Sequence, residues 1–284
     1  MTDLSILIVT YQSMPSFAAC LRALRRDGSH TTRTRELLVV DNKSTDGSAG
    51  FAARSEPGAT VVHRPRNDGF ATAANQAAEL ASGRYLLFLN PDTRVEEGAV
   101  DALVSYLEEH PEVAAVGPQL TDERGRACRS AHSAPSFRRE LYRLFQPLAR
   151  RLGIQPPLHG PADAAHAADW ISGACLLVRR DAWELVGGFD TKFFLYYEET
   201  DWCLRARQAG WQVHQLPTVR VRHDGALSAK RTGRTIRNGC IATEYVRSRR
   251  RYFQKHFGLL SSAAVELLHA LRAGYDRVRP EVSR

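Results

Sequence analysis

Short apolar runs alternate with amphipathic stretches through the first 120 residues. Leu4 to Val9, Glu36 to Val40, Thr60 to Val62, Tyr85 to Leu89 and Val113 to Val116 have the length and apolar content of buried strands. Between them, Pro15 to Arg26, Gly69 to Ser82 and Glu97 to Glu109 read as helices, and the polar turn from Asp41 to Ser48 leads into another. Ser13 is expected to cap the first of these, next to the proline at its start. Strand–helix alternation predicts an α/β fold with a mostly parallel sheet covered on both faces. Ligands of such sheets sit beyond the carboxyl ends of the strands. Thr10, Asp41 and Asp92 all fall at ends of that kind, so one cleft is expected to hold them.

The pattern weakens from 134 to 168, which holds Pro135, Pro147, Pro156, Pro157 and Pro161. This stretch predicts a partly helical insertion or mobile loop over the cleft. Order returns with a strand over Ala174 to Val178 and a helix over Thr200 to Ala209 that Gly210 terminates. Tyr245 to His256 and Ser262 to Ala273 predict C-terminal helices. The expected division is therefore 1–228 as the main body and 229–284 as a basic helical segment. Within the body, 1–120 and 169–228 form two halves on either side of the weakly patterned stretch.

Composition adds limits. The 284 residues are 43% hydrophobic and 25% charged, ordinary for a soluble globular chain. No apolar run reaches 18 residues, so no transmembrane helix is expected. The chain opens directly on a strand, and no signal peptide is expected. Five scattered cysteines make neither a metal spacing nor a disulfide framework, which points to a reducing cytoplasm. The net charge of +8 is uneven: Ser228 to Arg284 carries 13 basic against 4 acidic residues, and the rest is nearly balanced. Such a segment suits an anionic membrane surface, nucleic acid or phosphorylated substrates, or simply a solvated helix face.

The chemistry concentrates at four places. Asp41, at a strand end, suits the imino N–H of a pyrimidine ring, though its neighbours Asn42, Ser44 and Gly47 also suit an ordinary turn. Asn67, Gly69 and Phe70 open a helix whose N-terminus favours an anion such as a diphosphate. Asn90-Pro91-Asp92 follows a rigid apolar strand, where a carboxylate can hold a hard divalent cation bridging phosphate oxygens. His223 is a candidate further ligand, and Asn90 a neutral ligand or ribose contact. Glu198, Glu199 and Asp201 follow an aromatic run and supply candidates for a general base. Acids this close raise one another's pKa. Asp201 also has Arg205 one helical turn away and can cap or pair instead.

Taken in order, Ile8-Val9-Thr10-Tyr11, Val40 to Ser48, Asn67 to Ala71, Leu89 to Asp92, Ser172 to Arg180, Gly187-Gly188-Phe189-Asp190 and Tyr197 to Asp201 resemble a family 2 glycosyltransferase. More narrowly, the chain resembles the bacterial rhamnosyltransferase-like branch over roughly residues 4 to 228. The resemblance implies a GT-A fold, a nucleotide-sugar donor, a divalent cation (Mg²⁺ or Mn²⁺) and inversion at the anomeric carbon. It implies that Thr10, Tyr11, Asp41, Asn67, Gly69, Phe70, Asn90 and Asp92 face the donor, and that Asp92 and His223 hold the metal. It assigns Glu199 as base, with Trp170, Ser172, Gly173 and Glu198 on the acceptor side. Asn90 stands where the family's DxD motif begins with Asp, and Glu199 where its base is Asp; Glu198 and Asp201 therefore stay open as rivals.

The resulting expectation is a cytoplasmic enzyme moving L-rhamnose from dTDP-rhamnose to a hydroxyl of a saccharide or lipid-linked saccharide in bacterial surface polysaccharide synthesis. The basic segment, through Arg247, Arg249, Arg250, Arg251 and Lys255, is expected to touch an anionic inner leaflet. A UDP-hexose donor is the neighbouring alternative. A nucleic-acid-binding protein is disfavoured, because the body lacks a basic–aromatic stripe. A nicotinamide dehydrogenase is disfavoured because Thr10-Tyr11-Gln12-Ser13 carries no Gly-x-Gly-x-x-Gly turn.

Overall fold

The computed structural model describes residues 2–29, 31–142, 145, 164–224 and 240–278. Its centre is a mixed, mostly parallel sheet. β1 (Leu4–Thr10), β2 (Arg35–Asp41), β3 (Thr60–His63) and β4 (Tyr85–Leu89) pair in parallel in the order β3-β2-β1-β4. The sheet continues through β10 (Cys175–Arg179), β6 (Val113–Thr121), β11 (Gln212–His223) and β5 (Thr93–Val95). β10 runs antiparallel to both neighbours, β11 parallel to β6, and β5 antiparallel to β11. β8 (His166–Ala167) adds to β11, while β7 (Ala131–His132) and β9 (Trp170–Ile171) form a separate two-stranded ribbon.

Strand alternation builds two cores. Ile6 and Ile8 of β1 face the layer formed by α1 (Ser16–Gly28) and α4 (Ala99–Glu109), with Phe17, Leu21, Val100 and Leu103 buried there. Leu7 and Val9 face the other side, against α3 (Phe70–Leu80), α5 (Arg180–Val186) and α6 (Glu198–Gln208). The buried face of α3 is Ala71, Ala73, Ala74, Ala77 and Ala78, small side chains that let a helix lie close to the strands. α2 (Ser48–Ser55) covers β2 and β3.

The predicted strands and helices of the first 120 residues are present with ends moved by a few residues. Ser13 does not cap α1 as expected: Pro15 is the N-cap residue, no side chain caps the helix, and the Ser13 hydroxyl instead accepts the Tyr11 amide. Most of the expected insertion at 134–168 lies outside the described residues. β11 has no counterpart in the sequence reading. Its 12 residues mix Pro217 with charged positions, and one face stays partly exposed, so no apolar run marks it. The two C-terminal helices form α7 (Cys240–Val278), interrupted at Gly258 with φ 84°. α7 is attached to the body: Tyr252, Phe253 and Val265 share a buried cluster with Phe193 and Tyr197.

Candidate active site

Sheet order gathers the sequence-predicted residues along one rim. Thr10 and Asp41 are register partners at the ends of β1 and β2, and the Thr10 hydroxyl donates to Asp41 Oδ1 at 2.9 Å. Asp41 Oδ2 accepts the Ser44 amide at 2.9 Å. The carboxylate is thus fixed and buried, with lone pairs left over for a ligand. Next to it, the Asn42 amide donates to the Gly69 carbonyl at 3.1 Å, and its buried Oδ1 has no protein partner among the described residues. Asn42 was not singled out by sequence reasoning, although it stands inside the Asp41 motif. Tyr11 is exposed beyond the strand end.

The helix start at α3 differs from the expected anion cradle. Asn67 Oδ1 accepts the Gly69 amide at 3.0 Å, closing a local turn. Gly69 does permit a close approach, with φ 91°, but the group that approaches is protein: a Cβ there would sit 2.8 Å from Phe194 Cα. The Phe70 amide donates to the Phe194 carbonyl at 2.7 Å. The glycine and the first amide of α3 therefore join this loop to the aromatic run before Glu198, and are not left facing a diphosphate.

Asp92 lies three residues beyond Leu89, the last residue of β4, and is buried. His223, the last residue of β11, brings Nε2 to 3.2 Å from Asp92 Oδ1. The Asp224 amide donates to the Asp92 carbonyl at 3.0 Å, which holds these two segments together just beyond β4 and β11. Asp224 also gathers two arginines, Arg222 Nε on Oδ1 at 2.6 Å and Arg94 Nη2 on Oδ2 at 2.9 Å. Sequence reasoning missed this cationic pair. Arg94 and Arg222 are far apart in sequence and meet only because β5 and β11 pair at that register. Among the described residues no group of three or more His, Cys, Asp or Glu forms a metal cluster. One carboxylate and one imidazole still fit a Mg²⁺ or Mn²⁺ ion that takes most of its ligands from a diphosphate and water.

A chain of contacts leads from this corner to the acids. The Asn90 amide donates to the Ala174 carbonyl at 2.9 Å, because β10 lies antiparallel beside β4. One residue earlier, Gly173 lies against the Glu199 side chain, where an added Cβ would sit 3.7 Å from it. Ser172 is held by its amide on the Ser130 carbonyl at 2.9 Å. Trp170 stacks on His132 at 4.0 Å between ring centroids and donates Nε1–H to the Ser133 carbonyl at 3.2 Å. One face of the indole is therefore covered by His132.

The three acids have separate environments. Asp201 is fully buried, with Oδ2 on Arg205 Nε at 2.8 Å and Oδ1 on His256 Nε2 at 2.8 Å and Lys255 Nζ at 2.7 Å. Burial pushes its pKa up, but the His256, Lys255 and Arg205 contacts outweigh this and bring it down to about 2. Such a carboxylate is a poor proton acceptor. Glu198 is pushed well above the ordinary carboxylate range by burial and by the Glu199 charge. Glu199 is raised by burial and eased back by hydrogen bonding to its own backbone and that of Gly173 and Thr200. Each glutamate keeps one buried oxygen without a protein partner among the described residues. Glu199 has more backbone contacts to stabilise its anion than Glu198 has. The buried cysteines play no comparable part: burial pushes Cys20 and Cys203 up to about 12.

The sequence model for glycosyl transferase family 2 matches residues 5–160, and that for glycosyl transferase family group 2 matches 85–273. The chain belongs to glycosyl transferase family 2. It is 32% identical over 252 residues to the N-acetylglucosaminyl-diphospho-decaprenol L-rhamnosyltransferase of Mycobacterium tuberculosis, covering 81% of this chain and 79% of that one. It is 24% identical over 280 residues to the dTDP-rhamnosyl transferase RfbF of Shigella flexneri, covering 95% and 84%. In fold it resembles the mannosyltransferase PcManGT from Pyrobaculum calidifontis, solved with GDP-Man and Mn²⁺, with TM-score 0.62, 18% identity and coverage of 99% and 76%. For this family 2 glycosyltransferase the rim of Thr10, Asp41, Asp92, His223 and Glu199 is the candidate active site.

The basic segment differs from a free cationic patch. Arg249 is nearly buried against Glu266 at 3.0 Å. Arg251 and Lys255 reach Asp190 at 3.5 and 2.9 Å, and Arg247 pairs with Glu244. Arg250 has only a 3.7 Å contact to Glu266 and stays largely exposed. α7 also presents apolar side chains outward: Leu259 is 71% and Leu260 89% exposed just after Gly258. No helix among the described residues is long and apolar enough to cross a membrane.

Proposed function

We propose that this chain is an inverting, metal-dependent rhamnosyltransferase that moves L-rhamnose from dTDP-rhamnose to a hydroxyl of a lipid-linked saccharide in bacterial surface polysaccharide synthesis. The observation that carries the mechanism is the contrast among the acids: Glu199 combines a raised pKa with a free oxygen, while Asp201 is locked in ion pairs. A raised carboxylate pKa suits a base that must take a proton from a sugar hydroxyl near neutral pH. Glu199 removes that proton as the hydroxyl attacks the anomeric carbon, and one in-line displacement inverts the centre. Glu198, neutral beside it, donates a hydrogen bond to the acceptor, whose site Ser172, Gly173 and Trp170 also line.

Asp41, steadied by Thr10 and Ser44, accepts the pyrimidine imino proton, with Tyr11 and Asn42 nearby. Asn90 lies beside the ribose and diphosphate. Asp92 and His223 would hold the divalent cation, which neutralises charge on the departing nucleoside diphosphate. Arg94 and Arg222 add positive charge at that corner. The donor is read from the names of the similar rhamnosyltransferases and from Asp41, and the acceptor from the diphospho-decaprenol substrate in the name of one of them. A polyprenyl acceptor lies in a bilayer, and the apolar edge at Leu259 and Leu260 suits a peripheral contact with it.

A screen tests the donor. Thermal shift and transfer assays with dTDP-rhamnose, UDP-glucose and GDP-mannose, each with Mn²⁺ or EDTA, should give metal-dependent stabilisation and turnover with dTDP-rhamnose. Stabilisation by GDP-mannose alone contradicts the pyrimidine reading, and preference for UDP-glucose moves the assignment to a hexosyltransferase.

A further inference from the structure

Tyr196 and Tyr197, the two residues before Glu198, both have left-handed backbone, with φ 69° and 71°. Bulky residues held there cost on the order of 1–3 kcal/mol each and persist only where their surroundings over-determine them. The helix they lead into has no side-chain cap: Tyr197 is the N-cap residue of α6 and makes no capping hydrogen bond. Neither local propensity nor capping thus explains why α6 starts where it does.

The surroundings that hold this turn come from α7. Tyr197 lies 5.5 Å from Tyr245 and 5.4 Å from Tyr252 between ring centroids, and Tyr196 lies 5.9 Å from Tyr245. The Ser248 hydroxyl donates to the Leu195 carbonyl at 2.9 Å. On the other side of the glutamates, Lys255 and His256 both reach Asp201 Oδ1. Lys255 also reaches Asp190 and lies 5.8 Å over the Phe193 ring. α7 therefore grips the chain at 193–197 and again at 201, and Glu198 and Glu199 lie between the two grips.

We infer that α7 is a positioning element of the transferase site: Lys255 and His256, acting through Asp201, and Ser248, acting through the Leu195 carbonyl, fix where the Glu199 carboxylate sits. The inference rests on Glu199 being the base. None of these α7 residues is assigned a contact with substrate; each acts through Leu195 or Asp201, which flank the two glutamates in the chain. Errors near 1 Å at a reacting group cost about 10²-fold in rate, so a loosened grip should be visible in turnover.

The test uses the full chain and three variants, Lys255→Met combined with His256→Ala, His256→Gln, and Ser248→Ala. Each is assayed for kcat and KM with dTDP-rhamnose, for dTDP binding by calorimetry to count folded sites, and for thermal midpoint. The double variant should lose at least about tenfold in kcat per folded site while donor affinity stays within about twofold. His256→Gln, which keeps Lys255 and an N–H donor close to the Nε2 position, should keep most of the wild-type rate. If the double variant does not fold, Ser248→Ala decides, with a smaller loss in kcat and unchanged donor affinity expected. A lowered midpoint with unchanged kcat per folded site in the variants that fold overturns the inference and leaves α7 a merely stabilising helix. The two readings fail differently. Normal turnover in Glu199→Gln removes the base assignment, whereas an inactive Glu199→Gln beside normal α7 variants removes this inference alone.

Discussion

Gly69 and Phe194 meet backbone against backbone, 125 residues apart, and so tie the nucleotide half of the rim to the turn that carries the acids. The Phe70 amide closes the contact on the Phe194 carbonyl at 2.7 Å. A methyl group at Gly69 would collide with that carbonyl and would also have to adopt φ 91°. Gly69→Ala should therefore lower stability by more than about 1 kcal/mol, and should lower kcat per folded site as well. Urea unfolding and single-turnover transfer measure the two effects. Wild-type values for both would show that the contact is not formed in solution.

Asp92→Ala should abolish metal-dependent donor binding while leaving the fold intact. The carboxylate faces His223 and closes no core hydrogen bond through its side chain among the described residues. Calorimetry of dTDP with and without Mn²⁺ is the check: the variant should bind equally weakly in both. Wild-type affinity that still falls on adding EDTA would place the metal elsewhere.

Asp201 sets an acid-stability prediction. Its folded pKa of about 2 lies below the unfolded value of 3.8, so the folded state releases this proton more readily. The stabilisation is then complete above about pH 4 and is lost as pH falls toward 2, on the order of 2 kcal/mol. Asp201→Asn should lose most of that pH-dependence and be less stable at neutral pH. Urea midpoints measured between pH 2 and 7 test it; an unchanged slope in the variant would mean that the ion pairs with Arg205, Lys255 and His256 do not form.

The apolar edge of α7 at Leu259 and Leu260 predicts membrane attachment that tolerates salt, because burial of apolar side chains is not screened and Arg249 and Arg251 are held by Glu266 and Asp190. The full chain should float with anionic liposomes at low and high salt, and Leu259→Glu with Leu260→Glu should stay in solution. Flotation unaffected by the double change, or lost on adding salt, would return the role to the basic residues.

The first four strands, their helices and the carboxylates at their ends could be read from the chain because each is a local apolar run ending in a polar residue. Asp41 and Asp92 stood out for that reason, and Glu199 as one of three acids behind an aromatic run and through the family motif. What escaped depends on distant pairing. Arg94 and Arg222 share Asp224 only through the register of β5 with β11, a strand whose proline and charges hide its period. Gly69 read as a ligand-facing glycine because no local signal says that Phe194 occupies the space. The basic run near residue 250 read as a surface patch because its partners, Asp190, Asp201 and Glu266, lie elsewhere in the chain.

Glu199 as the base is tested most directly by single-turnover transfer from dTDP-rhamnose in Glu199→Gln, followed across pH beside the wild type. Wild-type turnover should fall at low pH with an apparent pKa above the ordinary carboxylate range of about 4.5, since Glu199 must be ionised to accept the proton. Glu199→Gln should bind donor normally, turn over roughly 10²–10⁴-fold more slowly and lose that acid limb. A variant with near-normal turnover and an unchanged acid limb would contradict the assignment.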